Sequence, residues 1–441
     1  MKEKRITLWG AVSMAVGTMI GASIFAIFGV GAELAGQNLP ETFILSALYA
    51  LAVAYSYTKF GSKIISNAGP IAFILKGFGD TVIVGALSIL LWLSYVVSIA
   101  LFAKGFSGYF LPLFGIDILP LTIGITEAIV IAFFTALNFF GSKAVGKAEF
   151  YIVLVKLTIL GVFIVGGLFT IKPQLLTPSF TTTGITGVIH ASVIFFLSYM
   201  GFGLITNISE NMVEPQRNVP KAIILSILIV SVIYVGVALV AVGNLPLKTL
   251  IASKDNALAI AAKPFLGNLG FLLLSIGALF SISSALNATL YGGANISYSF
   301  AKEGELPEIF ERKEWFGTTE GLYITAALGL LFALLFNIGG IAAITSSVFT
   351  VIYIFVLISH LKLLKEIGGK KLLVIFNLSI VSIVFIMLLY FQWSEQKNVF
   401  FGTIITFIVS FLVEYFYRKI KNREFKRIRF TNTKKNIIKG E

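Results

Sequence analysis

One lysine stands in a stretch of chain that is otherwise apolar. Lys156 lies in AEFYIVLVKLTILGVFIVGGL, about ten residues after the expected start of that stretch, which is ~15 Å along a helix. A charge at that depth in a bilayer costs on the order of 3 kcal/mol, so an intramembrane lysine is a functional candidate. We expect an amine that gains and loses a proton during the working cycle. Snorkelling of the long side chain to the nearer interface is the alternative.

Two other apolar stretches carry helix-weakening residues at their centres. The first contains GTMIGASIF, from Gly17 to Phe25, and the second contains SYMGFGL, where Gly201 and Gly203 follow Tyr199. Unwinding frees N–H groups on one half-helix and C=O groups on the other, and neither can face lipid. These groups suit an α-amino acid, because the amides bind its carboxylate and the carbonyls bind its ammonium group. Close packing of helices through small residues is the alternative.

A fourth apolar stretch, GALFSISSALNATLYGGANISYS, is unusually rich in hydroxyl and amide side chains. Ser281, Ser284 and Asn287 recur with i, i+3 spacing and therefore share one face of a helix. Lining an ion or proton site and hydrogen bonding between helices explain these residues equally well.

The composition identifies the medium of these stretches as lipid. Of 441 residues, 57% are hydrophobic and 12% are charged, with a mean hydropathy of +0.94, whereas soluble domains carry roughly 25% charged residues. The net charge of +13 comes from residues between the apolar stretches and in one tail, which favours an anionic membrane surface over nucleic acid. The absence of cysteine excludes thiol catalysis, disulfides and cysteine metal sites.

The apolar windows predict about twelve transmembrane helices and no soluble domain, because each has roughly the length that crosses a bilayer. Most lysines and arginines fall on one set of connections, which places both termini in the cytoplasm and the protein in the cell membrane. Lys104 is assigned to an outside connection, and 418–441 is expected to form a basic cytoplasmic tail. The predicted spans are 7–35, 40–58, 81–111, 120–140, 147–171, 186–209, 220–243, 267–299, 321–337, 340–361, 372–391 and 399–417.

The two interrupted spans are the first and the sixth, so they begin two successive sets of five. Interrupted helices at corresponding positions of two halves indicate an inverted-repeat transporter with its substrate site at the membrane midplane. We therefore predict an all-α membrane fold with discontinuous helices 1 and 6. The first repeat covers 1–171, the second covers 186–361, and two additional helices occupy 372–417.

Three ordered blocks of sequence resemble the amino acid–polyamine–organocation transporters. Gly17–Phe25 resembles the first-span signature of that family, and FLSYMGFGLITNISENMVEPQRNVPKAI, at 196–223, resembles its sixth span and following loop. NISYSFAKEGELP, at 295–307, is similar to the block that ends the eighth span. The mid-span lysine and its lead-in FFGSKAVGKAEF, at 139–150, resemble the archaeal proton-coupled members of broad specificity. The resemblance implies the inverted-repeat fold of sodium-coupled transporters and a proton-coupled amino acid symporter.

The same resemblance implies roles for individual residues. The ammonium group of Lys156 would take the place of a sodium ion, near the carbonyl of Gly17 and the hydroxyl of Ser281. Backbone amides of span 1 would bind the substrate carboxylate, carbonyls of spans 1 and 6 would bind its amino group, and side chains of span 6 would wall the pocket. The substrate-binding residues implied in this way are Met19, Ile20, Gly21, Ala22, Ser23, Phe196, Leu197, Tyr199, Met200 and Phe202.

The sequence departs from the family pattern at three positions. Asn295 and Phe300 stand where many members have arginine and methionine, and Gly203 replaces an acidic residue that is common after Gly-Phe. The loss of that acidic residue favours small or neutral L-amino acids over cationic ones. An amino acid or polyamine exchanger of the same fold, without proton coupling, is the alternative function, and a channel or sensor of that fold is a third.

The sequence offers no support for an enzyme. Neither of its two histidines, His190 and His360, lies near a carboxylate or cysteine in sequence, and no nucleotide, metal or nucleophile motif is present. We expect no cofactor and no metal, since a proton gradient supplies the energy. The expected partners are an amino acid, protons and the lipid bilayer, with no nucleic acid; the oligomeric state stays open, with a monomer as the working expectation.

Overall fold

A computed structural model describes residues 6–138, 145–253, 256–302, 306, 308–310, 312 and 319–421. Within these residues the fold is helical, and the only extended pairing is one bridge between Ile6 and Met212. Eleven helical segments in the described part are long and apolar enough to cross a membrane, and Glu320–Leu335 is a shorter apolar helix. The prediction of an all-α protein with about twelve membrane helices is confirmed.

The helices follow the predicted spans closely along the chain. They are α1 (Leu8–Ala26), α2 (Phe28–Ala35), α3 (Leu39–Gly61), α4 (Pro70–Phe78), α5 (Val82–Leu113), α6 (Pro120–Leu137), α7 (Val145–Leu168), α8 (Thr182–Phe195), α9 (Leu204–Asn207), α10 (Pro215–Asn244), α11 (Leu247–Ala252), α12 (Ala257–Ala261), α13 (Lys263–Lys302), α14 (Glu320–Leu335), α15 (Ile338–Lys362), α16 (Leu364–Ile367), α17 (Lys371–Glu395) and α18 (Lys397–Lys421).

The first span is discontinuous, but its break lies elsewhere than predicted. Helix α1 is continuous through Gly17–Ser23, and the interruption falls at Ile27, whose φ of −111° and ψ of 7° are not helical. The predicted unwinding over Gly17–Ser23 is therefore wrong for this conformation. Gly21 serves close packing instead, since a Cβ atom added there would lie 2.8 Å from the Cβ of Ala285 in α13. Close packing of helices through small residues, the alternative interpretation of these glycines, therefore applies at Gly21.

The sixth span is interrupted where the sequence predicted. Helix α8 ends at Phe195, the residues Phe196–Gly203 form a 3₁₀ segment, and α9 resumes at Leu204. A 3₁₀ helix is wound more tightly than an α-helix, and within this segment Gly201 lies close to α1. A Cβ atom at Gly201 would lie 2.7 Å from Cγ and 3.0 Å from the backbone nitrogen of Met19.

A buried ion pair joins the third and fourth spans. Lys104 lies within α5, not in an outside connection as predicted, and its Nζ is 3.0 Å from Oε1 of Glu127 in α6. The Glu127 side chain is 0% exposed. Removing one partner of such a pair leaves an uncompensated buried charge, so the pair fixes α6 against α5. The short apolar stretch around Glu127 gave no sign in the sequence that a carboxylate would face inward.

The start of α1 and the end of the sixth span lie at the same end of the bundle. The backbone of Ile6 exchanges hydrogen bonds with the segment 211–213. The backbone nitrogen of Asn67, after α3, donates to Glu210 Oε1 at 3.0 Å, and the nitrogen of Glu210 donates back to Asn67 Oδ1 at 3.1 Å. We call this end of the bundle, where α1 begins, the α1 end.

Some predictions fall on residues outside the described part of the chain. These include most of the basic tail, from 422 onward, the lead-in at 139–144, and 303–305 and 307 of the eighth-span block. The division into inverted repeats at 1–171 and 186–361 stays a prediction.

Candidate functional site

The Lys156 side chain crosses from α7 to the backbone of α1. It is 2% exposed, and its Nζ donates a hydrogen bond to the carbonyl oxygen of Gly17 at 2.5 Å. The stem therefore reaches inward, in contrast to the snorkelling alternative. A helical carbonyl has two lone pairs, so it accepts this bond without leaving the helix. The structure thus brings together Lys156 and Gly17.

Other side chains donate to the next carbonyls of the same helix. The hydroxyl of Ser281 in α13 lies 3.1 Å from the carbonyl oxygen of Ile20 and 3.0 Å from that of Gly21. Ser281 therefore contacts α1 about one turn beyond the carbonyl that Lys156 binds. Spans 5 and 8 both meet α1 through hydrogen bonds to its backbone.

The phenol of Tyr234 in α10 bridges the first and sixth spans. Its hydroxyl lies 2.5 Å from the carbonyl oxygen of Met19 and 3.2 Å from that of Ser198. Tyr234 is not among the residues predicted from the sequence. Its only signal is a phenol inside the otherwise aliphatic run SVIYVGV, where a polar group in lipid requires a partner.

A cavity of about 180 Å³ opens beside this part of α1. Its walls come from α1, α3, α4, α5, the 3₁₀ segment Phe196–Gly203, α9, α13 and α15. Among the predicted substrate residues, Met19, Leu197 and Met200 line the cavity. The described lining contains no charged side chain.

Four other predicted substrate residues are buried but are not part of the described cavity lining. They are Ile20, Phe196, Tyr199 and Phe202. The Tyr199 hydroxyl donates to the carbonyl oxygen of Phe43 at 3.1 Å, which holds the 3₁₀ segment against α3.

The backbone of Gly21, Ala22 and Ser23 lies within continuous helix α1. The side chains of Ala22 and Ser23 are outside the described part of the structure. Amides in the middle of a helix are bonded to its carbonyls, so in this conformation they do not form the half-helix end expected to bind a carboxylate.

Four polar residues missed in the sequence line the end of the cavity that faces the α1 end. They are Tyr57 of α3, Tyr95 of α5, Asn207 of α9 and Tyr353 of α15. They come from four separate helices, so no spacing rule within one helix could have grouped them. The neutral polar end of the cavity forms only when the fold brings these four helices together.

The two histidines serve other contacts. His360 Nε2 lies 2.8 Å from the carbonyl oxygen of Gly368, so this nitrogen donates, and Nδ1 is 2.8 Å from the hydroxyl of Ser56. His190 Nδ1 lies 3.5 Å from Glu395 Oε1. Within the described ranges, no three His, Asp or Glu side chains are grouped so that they could hold a metal ion.

An all-α bundle of helices that are long and apolar enough to cross a membrane, with a cavity among them, is the architecture of many membrane transporters. The chain belongs to the amino acid permease family, since the model of that family, described as "Amino acid permease", matches residues 6–415. Amino acid transport is accordingly its general function, and it is not an enzyme.

The chain is similar to several curated proteins over most of its length. It is 66% identical over 425 residues to an uncharacterised protein of Methanocaldococcus jannaschii, covering 96% of this chain and 98% of the relative. It is 30% identical over 413 residues to an inner membrane transport protein of Escherichia coli, covering 93% and 96%. It is 29% identical over 374 residues to the methylthioribose transporter of Bacillus subtilis, covering 79% of each chain.

Proposed function

We propose that this protein is a proton-coupled symporter of neutral L-amino acids with broad specificity, in which Lys156 carries the coupling proton. The observation that carries the proposal is the contact between the buried Lys156 ammonium group and the Gly17 carbonyl, at 2.5 Å. The energy comes from the proton gradient, with no cofactor.

The coupling rests on the difference between a charged and a neutral amine. A hydrogen bond from an ammonium group is roughly twice as strong as one from a neutral donor. Protonated Lys156 therefore holds α1 firmly against α7, and loss of the proton weakens this contact. Movement of α1 then depends on the protonation state.

The substrate acts on the same turn of helix. Thr18 and Met19, which directly follow Gly17, line the cavity. A substrate in the cavity and a proton on Lys156 thus bias the position of one helix, which is the requirement for coupling two binding events. Alternating access follows if α1 and the 3₁₀ segment of span 6, joined through Tyr234, move against the surrounding helices.

The absence of charged side chains from the described cavity lining favours neutral amino acids over polyamines and cationic amino acids. A polyamine or cationic amino acid would bring a charge into a cavity whose described lining offers no carboxylate, and an unpaired buried charge is costly. This supports neutral amino acids over polyamines. We propose that both termini are cytoplasmic and that the protein resides in the cell membrane, because most lysines and arginines fall on the set of connections that includes both termini.

Uptake into proteoliposomes distinguishes symport from exchange. The purified protein is reconstituted into empty vesicles, and labelled alanine or serine is added at an external pH below the internal pH. Symport predicts uptake that rises with the pH gradient and collapses when a protonophore is added. Uptake that occurs only in vesicles preloaded with amino acid, whatever the gradient, would establish the exchanger instead.

A further inference from the structure

Two polar atoms at the α1 end of the cavity have no hydrogen-bond partner among the described residues. They are Oδ1 of Asn207 and the hydroxyl of Tyr353. Both residues line the cavity, and Tyr353 is 1% exposed. Burying a polar group without a partner costs about 1–3 kcal/mol, and most such groups are paired in native proteins. Two orphaned polar atoms that line one cavity therefore point to a ligand that pairs with them.

The other unpaired buried hydroxyls in the described part of the chain do not indicate a ligand. They belong to Ser198, Ser275 and Ser359, none of which lines the cavity. A serine hydroxyl in a helix can turn toward a carbonyl of the preceding turn. The Tyr353 hydroxyl stands at the far end of a rigid ring and cannot reach its own backbone in this way.

Packing fixes the Tyr353 hydroxyl in place. The ring of Tyr353 lies 5.7 Å from that of Tyr57 in an edge-to-face arrangement and 5.8 Å from that of Phe202 in a stacked one. Phe196 packs on it as well, at 5.6 Å. A ring held on three sides cannot swing its hydroxyl to another partner.

Packing also fixes the Asn207 carboxamide. Its side chain interacts with the Tyr95 phenol and lies over Gly69, where an added Cβ atom would be 1.8 Å from Asn207 Oδ1. Gly69 has a φ of +58°, a conformation that favours glycine. The close approach and the backbone conformation both require glycine at 69, and together they hold the amide.

The two orphaned groups complement a carboxamide. Asn207 Oδ1 is an acceptor and needs an N–H donor, whereas the Tyr353 hydroxyl can donate to a carbonyl. A carboxamide supplies the N–H and the C=O on one carbon, and it carries no charge, which matches the neutral lining. We propose that Asn207 and Tyr353 are specificity-determining residues that select neutral amino acids with a carboxamide side chain, glutamine foremost. This inference rests on the proposed function, because it assumes that the cavity holds the transported amino acid.

The test compares glutamine with methionine, which has an unbranched side chain of similar length and no amide. In the wild-type protein, glutamine should inhibit labelled alanine uptake at a concentration about tenfold or more below that of methionine, as expected when a site hydrogen-bonds its substrate. In Tyr353→Phe and Asn207→Leu this ratio should fall toward one, because methionine inhibition is kept or improved while glutamine inhibition weakens. The matched control is Tyr390→Phe, which removes a hydroxyl from a side chain that is 64% exposed and should keep the wild-type ratio.

Binding measured without transport separates this inference from the proposed function. Thermal stabilisation of the purified protein by glutamine and by methionine reports occupancy of the cavity alone. Stronger stabilisation by glutamine, lost in both variants, supports the selectivity even if no proton-driven uptake is found. Equal effects of glutamine and methionine in the wild type, or variants that keep the glutamine preference, would overturn it while leaving symport intact.

Discussion

Replacing Lys156 by alanine should abolish the dependence of uptake on the pH gradient. The substitution removes the only described side-chain donor to the Gly17 carbonyl and the only titratable group in the proposed coupling step. We expect gradient-driven accumulation to fall by about a hundredfold or more, because the proposed driving force is lost rather than weakened. The measurement is initial uptake into proteoliposomes at several imposed gradients.

Two further variants make this experiment decisive. Lys156→Gln keeps a donor for the Gly17 carbonyl without a titratable proton, so it should fold normally and bind substrate while remaining insensitive to the gradient. Lys172→Ala removes an exposed lysine at the other end of the same span and should behave like the wild type. Proton-driven accumulation in either Lys156 variant, at the wild-type level, would rule out Lys156 as the coupling group.

Adding one methyl group at Gly201 should disable the transporter. A Cβ atom there would lie 3.0 Å from the backbone nitrogen of Met19, and a backbone atom inside a helix cannot move aside. We expect Gly201→Ala to lower the free energy of unfolding by about 1–3 kcal/mol through overpacking. Uptake should fall by about tenfold or more, because the 3₁₀ segment no longer fits against α1.

The control for this prediction lies two residues along the same segment. The nearest atom to a Cβ at Gly203 is Cε1 of Tyr57, at 3.9 Å, which is an ordinary contact distance. Gly203→Ala should therefore retain the wild-type free energy of unfolding. Equal losses in the two variants would show that the whole segment is sensitive, and that close approach at Gly201 is not the reason.

The spans could be predicted from the sequence because lipid imposes a simple rule. A membrane helix must be apolar over the thickness of the bilayer. The local amino-acid composition is therefore enough to predict where such a helix lies. The predicted span at 321–337 corresponds to α14, Glu320–Leu335, and the predicted span at 340–361 corresponds to α15, Ile338–Lys362. The 3₁₀ segment of span 6 was located because its glycines interrupt an otherwise regular apolar run.

The position of the break in span 1 could not be predicted in the same way. Glycine lowers the intrinsic stability of a helix, but tertiary contacts decide whether the helix forms. Around Gly21 the close contact with Ala285 favours the helix, and side-chain donors reach its carbonyls without unwinding it. The break falls instead at Ile27, a residue with no helix-breaking tendency of its own.

The candidate site was only partly accessible from the sequence. Lys156 was conspicuous because a charge in an apolar run is rare. The resemblance to known transporters implied Gly17, which Lys156 contacts, and Ser281, which contacts α1 about one turn further along. Tyr234 and Tyr353 were missed because tyrosine is common in membrane helices. Asn207 was missed because its meaning depends on residues brought together from distant parts of the chain.

Proton movement is the direct test of whether one amino acid enters together with a proton. Vesicles containing the protein and a pH-sensitive dye receive alanine or glutamine on the outside, with no imposed gradient. Symport coupled through Lys156 predicts that the amino acid acidifies the vesicle interior in the wild type and that Lys156→Gln abolishes the signal. Amino acid uptake by the wild type without acidification, or acidification that persists in Lys156→Gln, would contradict it.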